Sequence, residues 1–145
     1  MKLVVQRVSS ASVVSDGVLT GSINTGFLVL LGIHKDDSLE LIPKYVKKLI
    51  NLRIFEDSAG KLNLSIKDVL GEILLVSQFT LYGSVVRGNR PSFIDAKNPT
   101  EAIIIYEEFI RELSKEIPVQ TGVFGADMQV SLTNDGPVTI IIEDL

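Results

Sequence analysis

The chain has 145 residues, 46% of them apolar, no cysteine, and a formal net charge of −4 from 14 basic and 18 acidic side chains. That length fits one domain, residues 1–145, with a core of its own, and the missing thiols exclude disulfides, thiol catalysis and thiolate metal sites. The charge disfavours a protein that coats nucleic acid along its backbone, since such binding is driven by phosphate neutralisation; contact with one exposed RNA end remains open.

The opening segment, Met1 to Arg7, does not read as a signal peptide, because Gln6 and Arg7 interrupt the apolar run. No stretch approaches the ~18 apolar residues that span a bilayer. A cytoplasmic protein without membrane contact is expected. Lys2 to Val8 reads as a strand, and Ala11 to Ile23 as a hairpin turning at Ser15-Asp16-Gly17, since Asp-Gly supplies the positive φ such turns need. Phe27 to Leu31 is a continuous apolar run between glycines, the pattern of a strand buried on both faces.

A first helix is expected from about Ser38, with Asp36 and Asp37 supporting its N-terminus. Leu41, Ile42, Tyr45, Val46, Leu49 and Ile50 recur at helical spacing. Leu52 to Phe55 reads as a short strand, and Glu72 to Tyr82 contains a strong one that runs into Ser77-Gln78-Phe79-Thr80-Leu81. A polar loop from Gly83 to Lys97 carries Arg87, Arg90 and Lys97. The second helix starts at a clear cap: Asn98, then Pro99, with Glu101 three residues on. Its buried face is expected at Ala102, Ile103, Tyr106, Phe109, Ile110 and Leu113, with Pro118 ending it. Two last strands, near Met128–Leu132 and Val138–Ile142, flank Asn134-Asp135-Gly136-Pro137. The elements predict an α+β domain: a mostly antiparallel, barrel-like sheet with two main helices packed on one side.

The chemistry available is unusual for what it lacks. The only histidine, His34, sits in a polar turn without a Gly-x-Ser-x-Gly elbow or metal-ligand spacing around it. No metal and no cofactor is expected, and the glycines form no phosphate-binding fingerprint. Ser77-Gln78-Phe79-Thr80 places polar side chains at the end of a buried strand. There, backbone N–H groups can serve an oxyanion, and Thr80 can be a nucleophile or hold a substrate amine. The same pattern also suits a strand that simply leaves the core. Asn134 to Thr139 reads by itself as a hairpin turn, with a trans Gly136-Pro137 bond as the default.

The two motifs together, Ser77-Gln78-Phe79-Thr80-Leu81 and Asn134-Asp135-Gly136-Pro137-Val138-Thr139, resemble the D-aminoacyl-tRNA deacylase family. The likeness extends to Gln6-Arg7-Val8, Leu52 to Asp57, Arg90-Pro91-Ser92-Phe93 and Phe124-Gly125-Ala126-Asp127-Met128. Ser84-Val85-Val86 departs from a segment that is usually more polar and basic.

The resemblance implies a hydrolase that proofreads translation by cleaving D-amino acids, and glycine, from the 3′ end of tRNA while sparing L-aminoacyl esters. It implies a homodimer in which a cis Gly136-Pro137 pair enters the partner's pocket as a rigid fork that excludes L side chains. It also implies a catalytic strand end at Ser77, Gln78, Phe79 and Thr80, with the ribose 2′-hydroxyl helping to activate water. Covalent attack by Thr80 is the second mechanism. Arg7, Asn134 and Met128 support the site, and Arg87, Arg90 and Lys97 are candidate tRNA contacts. Two rivals are a nucleic-acid binder on the same fold and an ordinary esterase with a threonine nucleophile. The first would want a basic extension, and the chain ends Ile141-Ile142-Glu143-Asp144-Leu145.

Overall fold

The computed structural model describes residues 1–145. Its spine is β1 (Lys2–Ser15). One edge of β1 pairs antiparallel with β3 (Gly26–Gly32) over Lys2 to Val8, then with β2 (Val18–Ile23) over Ala11 to Ser15. The expected strand and hairpin are thus one continuous element. Asp16 and Gly17, at φ 46° and 81°, make the turn between β1 and β2, as Asp-Gly favours. The other edge of β1 pairs along its length with β8 (Met128–Ile142).

Beyond β3 the sheet continues in parallel, with β6 (Glu72–Ser77) on β3 and β7 (Val119–Thr121) on β6. The sheet order is β2-β1-β3-β6-β7, with β8 on β1. Helix α1 (Ile42–Ile50) lies in the chain between β3 and β6, and α2 (Pro99–Ser114) between β6 and β7. Successive right-handed crossovers that step the same way across a sheet leave both helices on one face. The result is the expected α+β architecture, a nearly closed sheet with two helices on one side. The sheet is mostly antiparallel, as expected, and these two crossovers add β6 and β7 to it in parallel. β7 is short and half-exposed, so no apolar run announces it. A small hairpin of β4 (Phe55–Glu56) and β5 (Leu62–Leu64) stands apart.

Alternation along β3 divides the interior. Phe27, Val29 and Leu31 face the helices and join the larger core with Ile42, Leu49 and Phe109. Leu28 faces the other way, into a cluster with Val13, Leu74 and Val76. This two-sided burial is what the uninterrupted apolar run requires. The sheet nearly closes where β2 nears β7: a Cβ on Gly21 would lie 2.9 Å from the Thr121 carbonyl oxygen and 2.9 Å from Leu74.

Several local expectations change. A 3-10 turn over Leu39–Leu41 precedes α1. Asp37 does not serve the helix start; it accepts the His34 N–H at 2.7 Å and pairs with the Met1 α-amino group at 2.6 Å. Asn98 caps α2, accepting the Glu101 N–H at 3.1 Å. Ile105 is buried there instead of Ile103 and Ile110, which are half-buried. The helix ends at Ser114, four residues before Pro118. The two last strands are a single strand, β8, and the segment between them is not a hairpin. Both flanks pair β1 in the same direction, so the chain never reverses there.

Candidate active site

β6 is buried through Val76 and ends at Ser77. The Gln78 N–H donates to the Leu31 carbonyl at 2.8 Å, and Phe79–Tyr82 then forms a 3-10 turn. The strand expected to run into Ser77-Gln78-Phe79-Thr80-Leu81 therefore stops at Ser77. The change matters for chemistry, because the first N–H groups of such a turn, those of Phe79 and Thr80, have no acceptor within it. They are donors at a strand end, the arrangement an oxyanion requires.

Ser77, Gln78 and Phe79 line a cleft of about 680 Å³. The cleft runs between this strand end, the start of α2 at Asn98 and Pro99, and Phe124, Met128 and Val130 on the far side. Most lining residues are apolar, which suits a planar, weakly polar ligand group. Thr80 stands at the rim, exposed, with its hydroxyl accepting from the Gln78 side-chain amide. An amide cannot take the hydroxyl proton. Lys97 is the one ionisable side chain in the lining, and it is already engaged: its Nζ donates to the Lys35 carbonyl at 2.7 Å, and the side chain is 11% exposed. Lys35 in turn pairs with Asp95 at 2.8 Å. That hydrogen bond holds the Asp95 carboxyl below the usual carboxylate range and lifts the Lys35 ammonium.

Arg87 and Arg90 are exposed on a loop pinched at its base by paired hydrogen bonds between Ser84 and Ser92, at 2.8 and 2.9 Å. Phe93, just past the pinch, packs edge-on against Phe79 with centroids 5.1 Å apart. Of the three cationic candidates, the two arginines are thus presented to solvent and Lys97 is not. His34 is outside the lining; its Nδ1 accepts the Asp36 N–H at 3.2 Å and its ring meets Tyr82.

The second motif lies elsewhere. Between Gln6↔Thr139 and Val8↔Asn134, residues 135–138 of β8 oppose Arg7 alone and bulge from the sheet. Asn134 ties the bulge at its base: Oδ1 accepts the Val138 N–H at 2.8 Å, and Nδ2 donates to Thr139 Oγ1 at 3.1 Å. Arg7, 5% exposed, donates from Nε to the Asp135 carbonyl and from Nη1 to the Ile54 carbonyl, each at 2.8 Å. Gly136 and Pro137, joined by a cis peptide bond, are exposed at the tip. Neither lines the cleft of its own chain. The structure therefore gathers Ser77, Gln78, Phe79, Thr80, Lys97 and Met128 at one place, and Arg7, Asn134, Gly136 and Pro137 at another.

The sequence reading did not place the start of α2 or Phe124–Ala126 in the cleft. The available signals were the Asn98 cap, because a helix start must open toward something polar, and Gly125, which sits at φ 76° in the turn before β8.

The family described as D-Tyr-tRNA(Tyr) deacylase matches residues 4–143. A D-aminoacyl-tRNA deacylase of Finegoldia magna is 60% identical over 144 residues, covering 99% of this chain and 97% of that one. Among solved structures, the c-Myc DNA Unwinding Element Binding Protein superposes with a TM-score of 0.94 at 44% identity, over 100% of this chain and 99% of that chain. A probable eukaryotic D-amino acid tRNA deacylase superposes at 0.84 with 17% identity, over 97% of each chain, a likeness of fold.

Proposed function

The chain belongs to the D-Tyr-tRNA(Tyr) deacylase family, a family of hydrolases acting on D-aminoacyl-tRNA, and from that premise we propose how its two sites divide the work. The cleft takes the terminal nucleoside of the acceptor end, and the Ser77–Thr80 strand end holds the ester. The observation that carries this is the strand end opening onto a largely apolar cleft whose single ionisable side chain is already bonded elsewhere. Such a site binds, orients and stabilises charge, but supplies no general base.

Water adds to the ester carbonyl, and the N–H groups of Phe79 and Thr80 receive the developing oxyanion. The bond from the carbonyl carbon to the ribose oxygen breaks, and the proton from water ends on that oxygen. The ribose 2′-hydroxyl relays the proton. Thr80 holds the substrate amino group. Without a base to activate it, the covalent route through Thr80 is the lesser one.

Chiral selection comes from a second copy of the chain. Gly136 and Pro137 are held out on a braced bulge and take no part in lining their own cleft. In a homodimer their carbonyls enter the partner's cleft and exclude an L side chain sterically. Glycine has no side chain to exclude, so glycyl-tRNA is also hydrolysed. Arg87 and Arg90 contact phosphates near the 3′ end, and the enzyme works in the cytoplasm.

The test is hydrolysis of D-tyrosyl-tRNA and L-tyrosyl-tRNA by the purified protein. Rapid loss of the D ester alone is expected. Equal loss of both removes the role given to Gly136 and Pro137. Loss of neither by folded dimer overturns the catalytic assignment.

A further inference from the structure

The cations of this acidic chain are unevenly compensated. Lys35, Lys67, Arg111 and Lys115 each meet a carboxylate, and so do Lys2 and Arg7. Lys44, Lys47 and Lys48 do not: all three are exposed and in no ion pair, as are Arg53, Lys61, Arg87 and Arg90, but only these three share one helix. They lie at i, i+3 and i+4 on α1, so their side chains share one helix face. That helix, Ile42–Ile50, contains no acidic residue. Glu40, in the turn before it, pairs with none of them. The neighbouring α2 has the opposite character, with Glu101, Glu107, Glu108 and Glu112 against a single Arg111. Two helices packed side by side on one face of the sheet thus present opposite charge to solvent.

The placement of α1 gives this asymmetry a direction. Ile33 lines the cleft, Lys35 and Lys97 meet at its rim, and α1 begins just beyond, at Ile42. The helix then extends about 14 Å, toward the segment where Ile54 accepts from Arg7. No residue of α1 lines the cleft, so its lysines would meet the part of a polyanion that lies outside the cleft. Three unpaired cations on a rigid helix suit the regular phosphates of a duplex, which fix register without reading sequence.

We infer that the Lys44–Lys47–Lys48 face of α1 is the docking surface for the duplex acceptor stem of the tRNA whose terminal ester occupies the cleft. This rests on the function proposed above and adds a contact remote from the reacting ester. It also accounts for how a chain of net charge −4 can hold RNA: three of its uncompensated cations are gathered on one helix face.

The experiment compares wild type with the Lys44→Gln/Lys47→Gln/Lys48→Gln variant on two esters: D-tyrosyl-tRNA, and D-tyrosyl-adenosine, which has the terminal nucleoside but no stem. The variant is expected to lose about tenfold in kcat/KM on the tRNA ester and to show a log–log salt dependence shallower by about three, one per phosphate contact. Turnover of D-tyrosyl-adenosine is expected to be unchanged. An Arg111→Gln/Lys115→Gln variant, which removes two paired cations from the α2 side, is expected to match wild type on both esters.

An unchanged tRNA rate in the triple variant overturns the inference, as does an equal fall on both esters. A fall of the same size in the Arg111→Gln/Lys115→Gln variant also overturns it, by making net charge the cause. Unchanged tRNA kinetics with lysine-dependent binding to phosphatidylglycerol vesicles overturns it in favour of a membrane surface. Wild type inactive on both esters is a failure of the catalytic assignment instead, and is read before any variant is made.

Discussion

Arg7 donates from Nε to the carbonyl of Asp135 at 2.8 Å, across 128 positions of sequence, and so fixes the β8 bulge that carries Gly136 and Pro137. Its Nη1 is spent on the Ile54 carbonyl at 2.8 Å, which leaves the buried guanidinium little freedom to move. Replacing Arg7 with Ala strands two carbonyls, one of them at a fully buried contact. The expected loss is about 2–4 kcal/mol in urea unfolding, together with weakened discrimination between D- and L-tyrosyl-tRNA. Arg7→Lys is expected to recover only part of both, because one ammonium cannot reach two carbonyls in the fork geometry. Full stability and selectivity in Arg7→Ala would show that Asn134 alone holds the bulge.

Gly136 is constrained from a different direction. At φ 137° its backbone is one that side-chain-bearing residues rarely adopt, and a Cβ there would lie 2.9 Å from Val138 Cγ2 and 3.0 Å from Arg7 Nη2. Gly136→Ala is therefore expected to displace the guanidinium and cost about 1–3 kcal/mol, measured by the shift of the urea midpoint. A double variant with Arg7→Ala separates the two causes. If the clash acts through Arg7, the combined loss falls well short of the sum.

The same region shows where the sequence was legible and where it was not. The β1–β2 hairpin, the both-faces-buried β3 and the Asn98 cap each follow from local chemistry, and each stands where it was read. The β8 bulge does not, since Asn-Asp-Gly-Pro carries every local mark of a turn. Only the long pairing of β1 with both flanks decides that the chain goes straight on, and that pairing spans the whole chain. The same holds for the parallel β6–β7 pair and for Ile105, whose burial depends on how α2 is rotated against the sheet. For the site, Ser77, Gln78 and Phe79 were read as one group and do line one cleft, with Thr80 at its rim. Lys97 is a candidate tRNA contact by sequence, and the carbonyl to which its Nζ donates lies 62 positions away, beyond any local pattern.

The tyrosines give the fold a defined alkaline limit. Burial pushes Tyr106 up to about 12, and its hydroxyl donates to the Leu75 carbonyl at 3.1 Å. Burial first, with Asp37 second, raises Tyr82; burial first also raises Tyr45. In the unfolded chain all three ionise near ~10. The folded state therefore holds protons that the unfolded state releases, so stability is intact below about pH 10 and falls as pH rises toward about 12. Tyrosinate absorbance is expected to appear together with loss of the far-UV helical signal, not ahead of it. Tyr106→Phe should cost about 1 kcal/mol at neutral pH by unpairing the Leu75 carbonyl, and should flatten the alkaline slope. Independent titration of all three tyrosines in the folded protein near pH 10 would contradict this.

Thr80 decides between the two catalytic routes. Its hydroxyl accepts from the Gln78 amide, and the nearest ionisable group of the cleft, Lys97, is bonded to Lys35. A nucleophile in that position would have no acceptor for its proton. Thr80→Ala is accordingly expected to slow D-tyrosyl-tRNA hydrolysis by about tenfold, the equivalent of one positioning hydrogen bond near 1.4 kcal/mol, and Thr80→Ser to restore most of the rate. Single-turnover kinetics checks this, because a covalent route also predicts a burst of free tRNA before steady state. Complete loss of activity in a folded Thr80→Ala protein, with a burst in wild type, would make Thr80 the nucleophile and would require a base supplied by the substrate or the partner chain.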